Sequence, residues 1–198
     1  MIGQLRTAPN QLTLLRLLFI PFIVLCVLDE NYRWALGLFV LAGLSDFLDG
    51  ILARLLNQKT ALGMLLDPIA DKLLLSTLFL VLSLAHKIPW KVTVLVFSRD
   101  LCILLTCAVV WATTSFRDFP PSFFGKANTT AQILAVFFVL LDEVLATQAV
   151  TLGKEVALWA TLVLTVLSGV HYIFRLGHRL RTQTAPPLPP LEPPRASS

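Results

Sequence analysis

Apolar residues run in six long blocks, at roughly 12–28, 34–53, 65–86, 90–113, 129–148 and 155–176. Short polar stretches separate them, among them Leu28-Asp29-Glu30, Leu56-Asn57-Gln58-Lys59-Thr60 and the segment 114–128 with Pro120-Pro121. A helix needs about 20 mostly apolar residues to cross a bilayer core, and each block is close to that length. Backbone polar groups in lipid must be satisfied within their own segment, so the blocks predict helices. The pattern therefore predicts an all-α integral membrane protein, a bundle of six transmembrane helices. The first block is followed by Asp29-Glu30 without a small-residue cleavage pattern, and a second block follows at once, so it reads as a retained helix.

Composition strengthens this picture. Of 198 residues, 56% are hydrophobic and only 14% charged, against the roughly 25% charged residues of soluble domains, and the mean hydropathy is +0.77. The three cysteines, Cys26, Cys102 and Cys107, all fall inside predicted spans, where a buried thiol is the plain reading. Residues 184–198 hold six of the twelve prolines and are expected to form an extended or disordered tail after a membrane domain at 1–183. Nothing in the chain resembles a nucleic-acid-binding patch.

Charge sets the orientation. With the N-terminus in the cytoplasm, the inner loops collect Arg6, Arg54, Lys59, Arg117, Lys126, Arg175, Arg179, Arg181 and Arg195, and the outer loops only Arg33, Lys87, Lys91 and Lys154. The excess of inner cations places both termini inside. Arg16, Lys72 and Arg99 lie within or near spans, where a cation is costly and so a candidate for function. Arg16 has two readings: snorkelling to the headgroups or facing a polar site. Residues 1–11 read as an interfacial segment, with Asn10 capping the first helix.

The chemistry is concentrated in four aspartates. Asp46 and Asp49 are spaced i,i+3 at the end of the second block, and Asp67 and Asp71 are spaced i,i+4 at the start of the third. On helices each pair shares one face. Two helices meeting on those faces would form a four-carboxylate cage near the cytoplasmic surface. Such a cage suits hard divalent cations, Mg²⁺ or Mn²⁺, and two such ions can bridge a diphosphate. Gly50 and Gly63 would let a bulky ligand approach the backbone, Ala53 keeps the same lane open, and Arg54 can fork onto phosphate. Pro68 is expected at an early helix position, where its missing N–H costs nothing. In the fourth block, Ser98-Arg99-Asp100 sets opposite charges side by side; neighbours on a helix point apart, so each is expected to find its own partner. Arg99 either faces an anionic substrate or forms a structural pair with an acid such as Asp100 or Asp142.

The run Asp46, Asp49, Gly50, Ala53, Arg54, Gly63, Asp67, Asp71 resembles the signature of the CDP-alcohol phosphatidyltransferases at all eight fixed positions and every spacing. The stretches Pro9-Asn10-Gln11-Leu12-Thr13-Leu14-Leu15-Arg16 and Gly125-Lys126-Ala127-Asn128-Thr129-Thr130-Ala131-Gln132 resemble the phosphatidylglycerophosphate synthase and eukaryotic-type cardiolipin synthase branch. The resemblance implies a cytoplasm-facing cavity in which Asp46, Asp49, Asp67 and Asp71 hold two divalent ions and Asp71 is the base for the acceptor hydroxyl. It also implies that Asp49, Gly50, Ala53, Arg54 and Gly63, with Asn10 and Thr13, hold the CDP portion of CDP-diacylglycerol. Arg99, Lys126 and Arg175 are expected to bind a phosphate-bearing alcohol. Glycerol 3-phosphate is placed first and phosphatidylglycerol second, although Arg99-Asp100 looks more like the cardiolipin synthases. A homodimer among membrane lipids is expected. A cation transporter or an intramembrane prenyltransferase would also carry membrane aspartates, but neither requires the Gly-x2-Ala-Arg element.

Overall fold

The structure, a computed structural model, describes residues 8–55, 61–113 and 123–183, with side chains described over 15–48, 70–102 and 125–170. The regular elements among them are six helices: α1 (Ala8–Leu28), α2 (Tyr32–Leu55), α3 (Ala61–Leu84), α4 (Trp90–Thr113), α5 (Phe123–Leu145) and α6 (Gln148–Gln183). All six apolar blocks are thus helical over most of their length. The boundaries moved where polar or capping residues extend or stop a helix that hydropathy alone cannot delimit. α1 begins at Ala8, so Asn10 lies in its first turn and does not cap it. α3 begins at Ala61, which puts Pro68 about two turns inside the helix, not at its start. The tail at 184–198 lies outside the described residues.

Three turns at one end of the bundle stop their helices by left-handed residues, none of them glycine: Glu30 (φ 56°), His86 (φ 59°) and Ala146 (φ 46°). After α1, Asn31 N–H reaches the Cys26 carbonyl (2.8 Å) and Glu30 N–H that of Val27 (3.1 Å). After α3, Lys87 N–H reaches Leu82 (2.8 Å) and His86 N–H reaches Ser83 (3.1 Å). These are paired six-to-one and five-to-two bonds of the Schellman type. After α5 a single bond from Ala146 N–H to the Asp142 carbonyl (2.9 Å) does the same work. Thr147 then opens α6 by accepting from Val150 and Thr151 N–H, so the expected block 129–148 is broken at 146–147.

The helices close into a ring. Among the described residues α1 packs on α2 and α3, α2 on α5, α5 on α6, α6 on α4, and α4 on α3, with α3 also reaching α5 across the middle. Among the described residues α2 and α3 make no close backbone contact with each other, and α1 packs against both. The core lies along α1, α3 and α5: Ile23 and Val27, then Leu78, Phe79 and Leu82, then Ala135, Val136, Val139 and Leu140. α2 joins it through Ala35 and Ala42, both fully buried and two turns apart. Small faces of this kind allow close approach where van der Waals fit, not water exclusion, holds helices together. Gly153 serves the α5–α6 contact, since a Cβ there would meet Phe138 Cε1 at 2.7 Å.

Large apolar side chains are exposed around the outside, including Leu18, Phe22, Leu25, Phe47, Leu80, Leu152, Val156 and Val163. Two described stretches are long and apolar enough to cross a membrane, Gly125–Leu145 and Gln148–Val170, and Leu15–Leu28 is a shorter apolar stretch. Trp34 and Trp90 are exposed close to the turns at the Glu30 and His86 end.

Candidate active site

Arg16, on α1, is 1% exposed, which settles its two readings in favour of the interior. Its Nη1 donates to Asp71 Oδ1 on α3 at 2.7 Å, and its Nη2 donates to Asp46 Oδ1 on α2. Two motif carboxylates therefore converge on a guanidinium carried by a third helix. Asp46 and Asp71 are 48% and 42% exposed, so each keeps an open side while Arg16 does not.

Next to Asp71 on α3, Lys72 points to α4, where its Nζ donates to both Asp100 oxygens at 2.8 Å. Asp100 also accepts from its own neighbour: Arg99 Nη1 lies 2.7 Å from Asp100 Oδ1. The expectation that the adjacent charges find separate partners is corrected here. The Arg99 side chain is long enough to fold back, and Asp100, only 6% exposed, needs more than one donor in a dry setting. Arg99 Nη2 continues to Ser168 Oγ on α6 at 2.6 Å, while its Nε has no partner. One turn along α6, Thr165 Oγ1 donates to Asn128 Oδ1 on α5 at 2.9 Å. Gln132 follows one turn beyond Asn128, wholly buried.

These contacts draw polar side chains from all six helices: Arg16 (α1) with Asp46 (α2) and Asp71 (α3), Lys72 (α3) and Arg99 with Asp100 (α4), Arg99 with Ser168 (α6), and Thr165 (α6) with Asn128 (α5). Polar side chains inside an apolar bundle are retained at a cost and mark function.

Of the residues expected from sequence, the structure brings together Asp46 and Asp71, and links them through Lys72 to Arg99. Lys126 is exposed near the start of α5. Asp49, Gly50, Ala53 and Arg54 lie in α2, Gly63 and Asp67 in α3, Asn10 and Thr13 in α1, and Arg175 in α6; their side chains are outside the described residues. Among the described residues no three metal-type ligands cluster. The fit of a divalent cation rests on Asp46 and Asp71 alone: carboxylates from two helices already share one positive group, and an oxygen-only donor set suits Mg²⁺ or Mn²⁺. Sequence reading missed Ser168, Thr165, Asn128 and Gln132. The available sign was spacing: Asn128 and Gln132 are i,i+4, and Thr161, Thr165 and Ser168 repeat at four and three, each set on one helix face.

Residues 6–167 match the profile of the CDP-alcohol phosphatidyltransferase family, over most of the chain and across all eight motif positions. The chain belongs to the CDP-alcohol phosphatidyltransferase family. Its relatives carry two kinds of name. A cardiolipin synthase (CMP-forming) of Rattus norvegicus is 38% identical over 150 residues, covering 66% of this chain and 48% of the rat protein. A cardiolipin synthase (CMP-forming) of Streptomyces coelicolor is 31% identical over 191 residues, covering 90% and 86%. A protein of Mycobacterium tuberculosis named probable phosphatidylglycerophosphate synthase is 36% identical over 186 residues, covering 87% and 84%. The chain spans about half the length of the mammalian relatives it matches.

Proposed function

We propose that this protein moves the phosphatidyl group of CDP-diacylglycerol onto a primary hydroxyl of a phosphate-bearing glycerol, releasing CMP. The observation that carries this reading is the convergence of Asp46 and Asp71, two members of the family signature, on one buried cation. Asp46, Asp49, Asp67 and Asp71 would hold two divalent ions, which offset the diphosphate charge and orient the leaving CMP. Asp71 takes the proton of the attacking hydroxyl as its oxygen bonds to the β-phosphorus. The bond from that phosphorus to the CMP oxygen breaks, and CMP leaves with the electron pair. Gly50, Ala53, Gly63 and Arg54, with Asn10 and Thr13, line the nucleotide lane.

Arg99 is the anchor for the acceptor phosphate. Asp100 and Ser168 hold two of its donors and fix the guanidinium, whose Nε is buried without a partner. Lys126 and Arg175 add charge at the mouth. All six helices are read as spans, with both termini and the site on the cytoplasmic side; the exposed Trp34 and Trp90 support an interface at the opposite end.

Phosphatidylglycerol is the acceptor we place first, giving cardiolipin and CMP. That reverses the order given by sequence. The rat and Streptomyces relatives are named for this reaction, and Arg99-Asp100 points the same way. Glycerol 3-phosphate is the second reading, favoured by the Mycobacterium relative that covers 87% of the chain. Purified protein with Mn²⁺ and CDP-diacylglycerol should release CMP with phosphatidylglycerol and yield cardiolipin. CMP release with glycerol 3-phosphate alone would install the second reading.

A further inference from the structure

Gln132 is fully buried on α5, and neither its Nε2 nor its Oε1 has a partner. Asn128, one turn away on the same face, is also fully buried; its Oδ1 accepts from Thr165, and its Nδ2 has no partner. Buried polar groups in folded proteins are nearly always bonded, so a cluster of orphaned ones calls for an external partner. Thr129 and Thr130, on the same turns, show the contrast: their hydroxyls are satisfied by the Gly125 and Lys126 carbonyls at 3.2 and 3.1 Å.

The amides lie at the depth of Arg16, Asp46 and Asp71 along their helices. Gln132 sits about two and a half turns in from the start of α5, and Arg16, Asp46 and Asp71 lie about as far from the same-side ends of α1, α2 and α3. α5 packs on both α2 and α3, the helices that carry the motif aspartates. Thr165, which donates to Asn128, lies one turn along α6 from Ser168, which accepts from Arg99, and Arg99 in turn pairs with Asp100.

We propose that Gln132 and Asn128 form a hydroxyl-reading subsite for the glycerol end of the acceptor. The inference rests on the phosphatidyl-transfer reading above. Gln132 offers one donor group and one acceptor, and Asn128 adds a donor. An uncharged hydroxyl, which donates and accepts at once, satisfies such a set. A phosphate would fill the donors but leave Oε1 facing anionic oxygen. Phosphatidylglycerol and glycerol 3-phosphate share this chemistry, since each carries a secondary hydroxyl beside the primary one that attacks. Holding the secondary hydroxyl fixes the primary one against Asp71, while Arg99 holds the phosphate.

The test uses the full chain and two acceptor pairs: phosphatidylglycerol with phosphatidyl-1,3-propanediol, and glycerol 3-phosphate with 3-hydroxypropyl phosphate. Each second member lacks only the secondary hydroxyl. Wild-type protein should prefer the hydroxylated member of whichever pair it uses by about 10- to 100-fold in kcat/KM, the range expected when a buried amide is left unpaired. Gln132→Met should remove most of that preference, acting on the acceptor while the KM for CDP-diacylglycerol stays as in wild type. Its Tm without substrate should hold or rise, because an orphaned amide has been replaced by an apolar chain of similar size. Equal rates for both members in wild type would overturn the subsite, and that measurement needs no variant. A preference that survives in Gln132→Met would overturn it too, as would a lower Tm with selectivity unchanged, the signature of amides serving trapped water. No CMP release with any acceptor would instead remove the activity reading itself, and the subsite with it.

Discussion

Asp46 and Asp71 carry two negative charges into one corner of the bundle, and Arg16 places one positive charge between them. Breaking a buried ion pair by removing one partner costs about 3–5 kcal/mol, but both carboxylates here are nearly half exposed, which brings the figure down to about 1–2 kcal/mol. Arg16→Gln should therefore lower the Tm of the metal-free protein by several degrees, and Mn²⁺ should raise the Tm of this variant more than that of wild type. A metal that takes up the two carboxylates replaces the missing guanidinium as counter-charge; a smaller Mn²⁺ effect in the variant would show Arg16 supporting the metal instead. That Asp46 and Asp71 share one corner was legible in sequence, because residue type and spacing pair them across two helices. Arg16 was not: hydropathy gave its depth, whereas the side it faces depends on which helices flank α1. Arg99 and Asp100 misled for a related reason. Helical geometry separates neighbouring Cβ atoms, but a long guanidinium arm in a dry interior bends back to the nearest anion.

At the level of helices, existence was easy to read and ends were not. Glycine usually marks a left-handed helix cap, and Glu30, His86 and Ala146 fill that position without it, so no residue type announced the turns. Each non-glycine left-handed residue carries a cost of roughly 1–2 kcal/mol, partly offset by the greater freedom that glycine loses on folding. Ala146→Gly should therefore stabilise the α5–α6 turn by up to about 1 kcal/mol, seen as a Tm about 2–4 °C higher in detergent. An unchanged or lower Tm would mean that the Ala146 turn is relaxed as it stands. The same turn is held from outside by Asp142, which accepts from Thr151 Oγ1 at 2.6 Å and from Lys154 Nζ, so α5 and α6 are tied where they reverse. Lys87 ties the α3–α4 turn to α5 by donating to Glu143 Oε2 at 2.6 Å, and that hydrogen bond holds its ammonium above the usual lysine range.

Across the whole molecule, helices of 21 to 24 residues are about 32–36 Å long, close to the thickness of a bilayer core, and α6 at 36 residues runs about 54 Å. Their ring order could not be read from sequence. Neighbours in the chain usually pack together, yet α2 and α3 do not, and neither do α4 and α5 among the described residues. The ring places the motif helices on either side of α1, and hydrogen bonds also join polar side chains of α4 to α6 and of α6 to α5. The most direct test measures CMP released from CDP-diacylglycerol by wild type, Asp46→Asn and Asp71→Asn in one acceptor-supplemented assay, with Mn²⁺ and then with excess chelator. Release should require both acceptor and divalent ion, nearly vanish in Asp46→Asn, and fall about 10²–10⁴-fold in Asp71→Asn with CDP-diacylglycerol binding retained. Full turnover in either folded variant, or turnover that survives the chelator, would contradict the account.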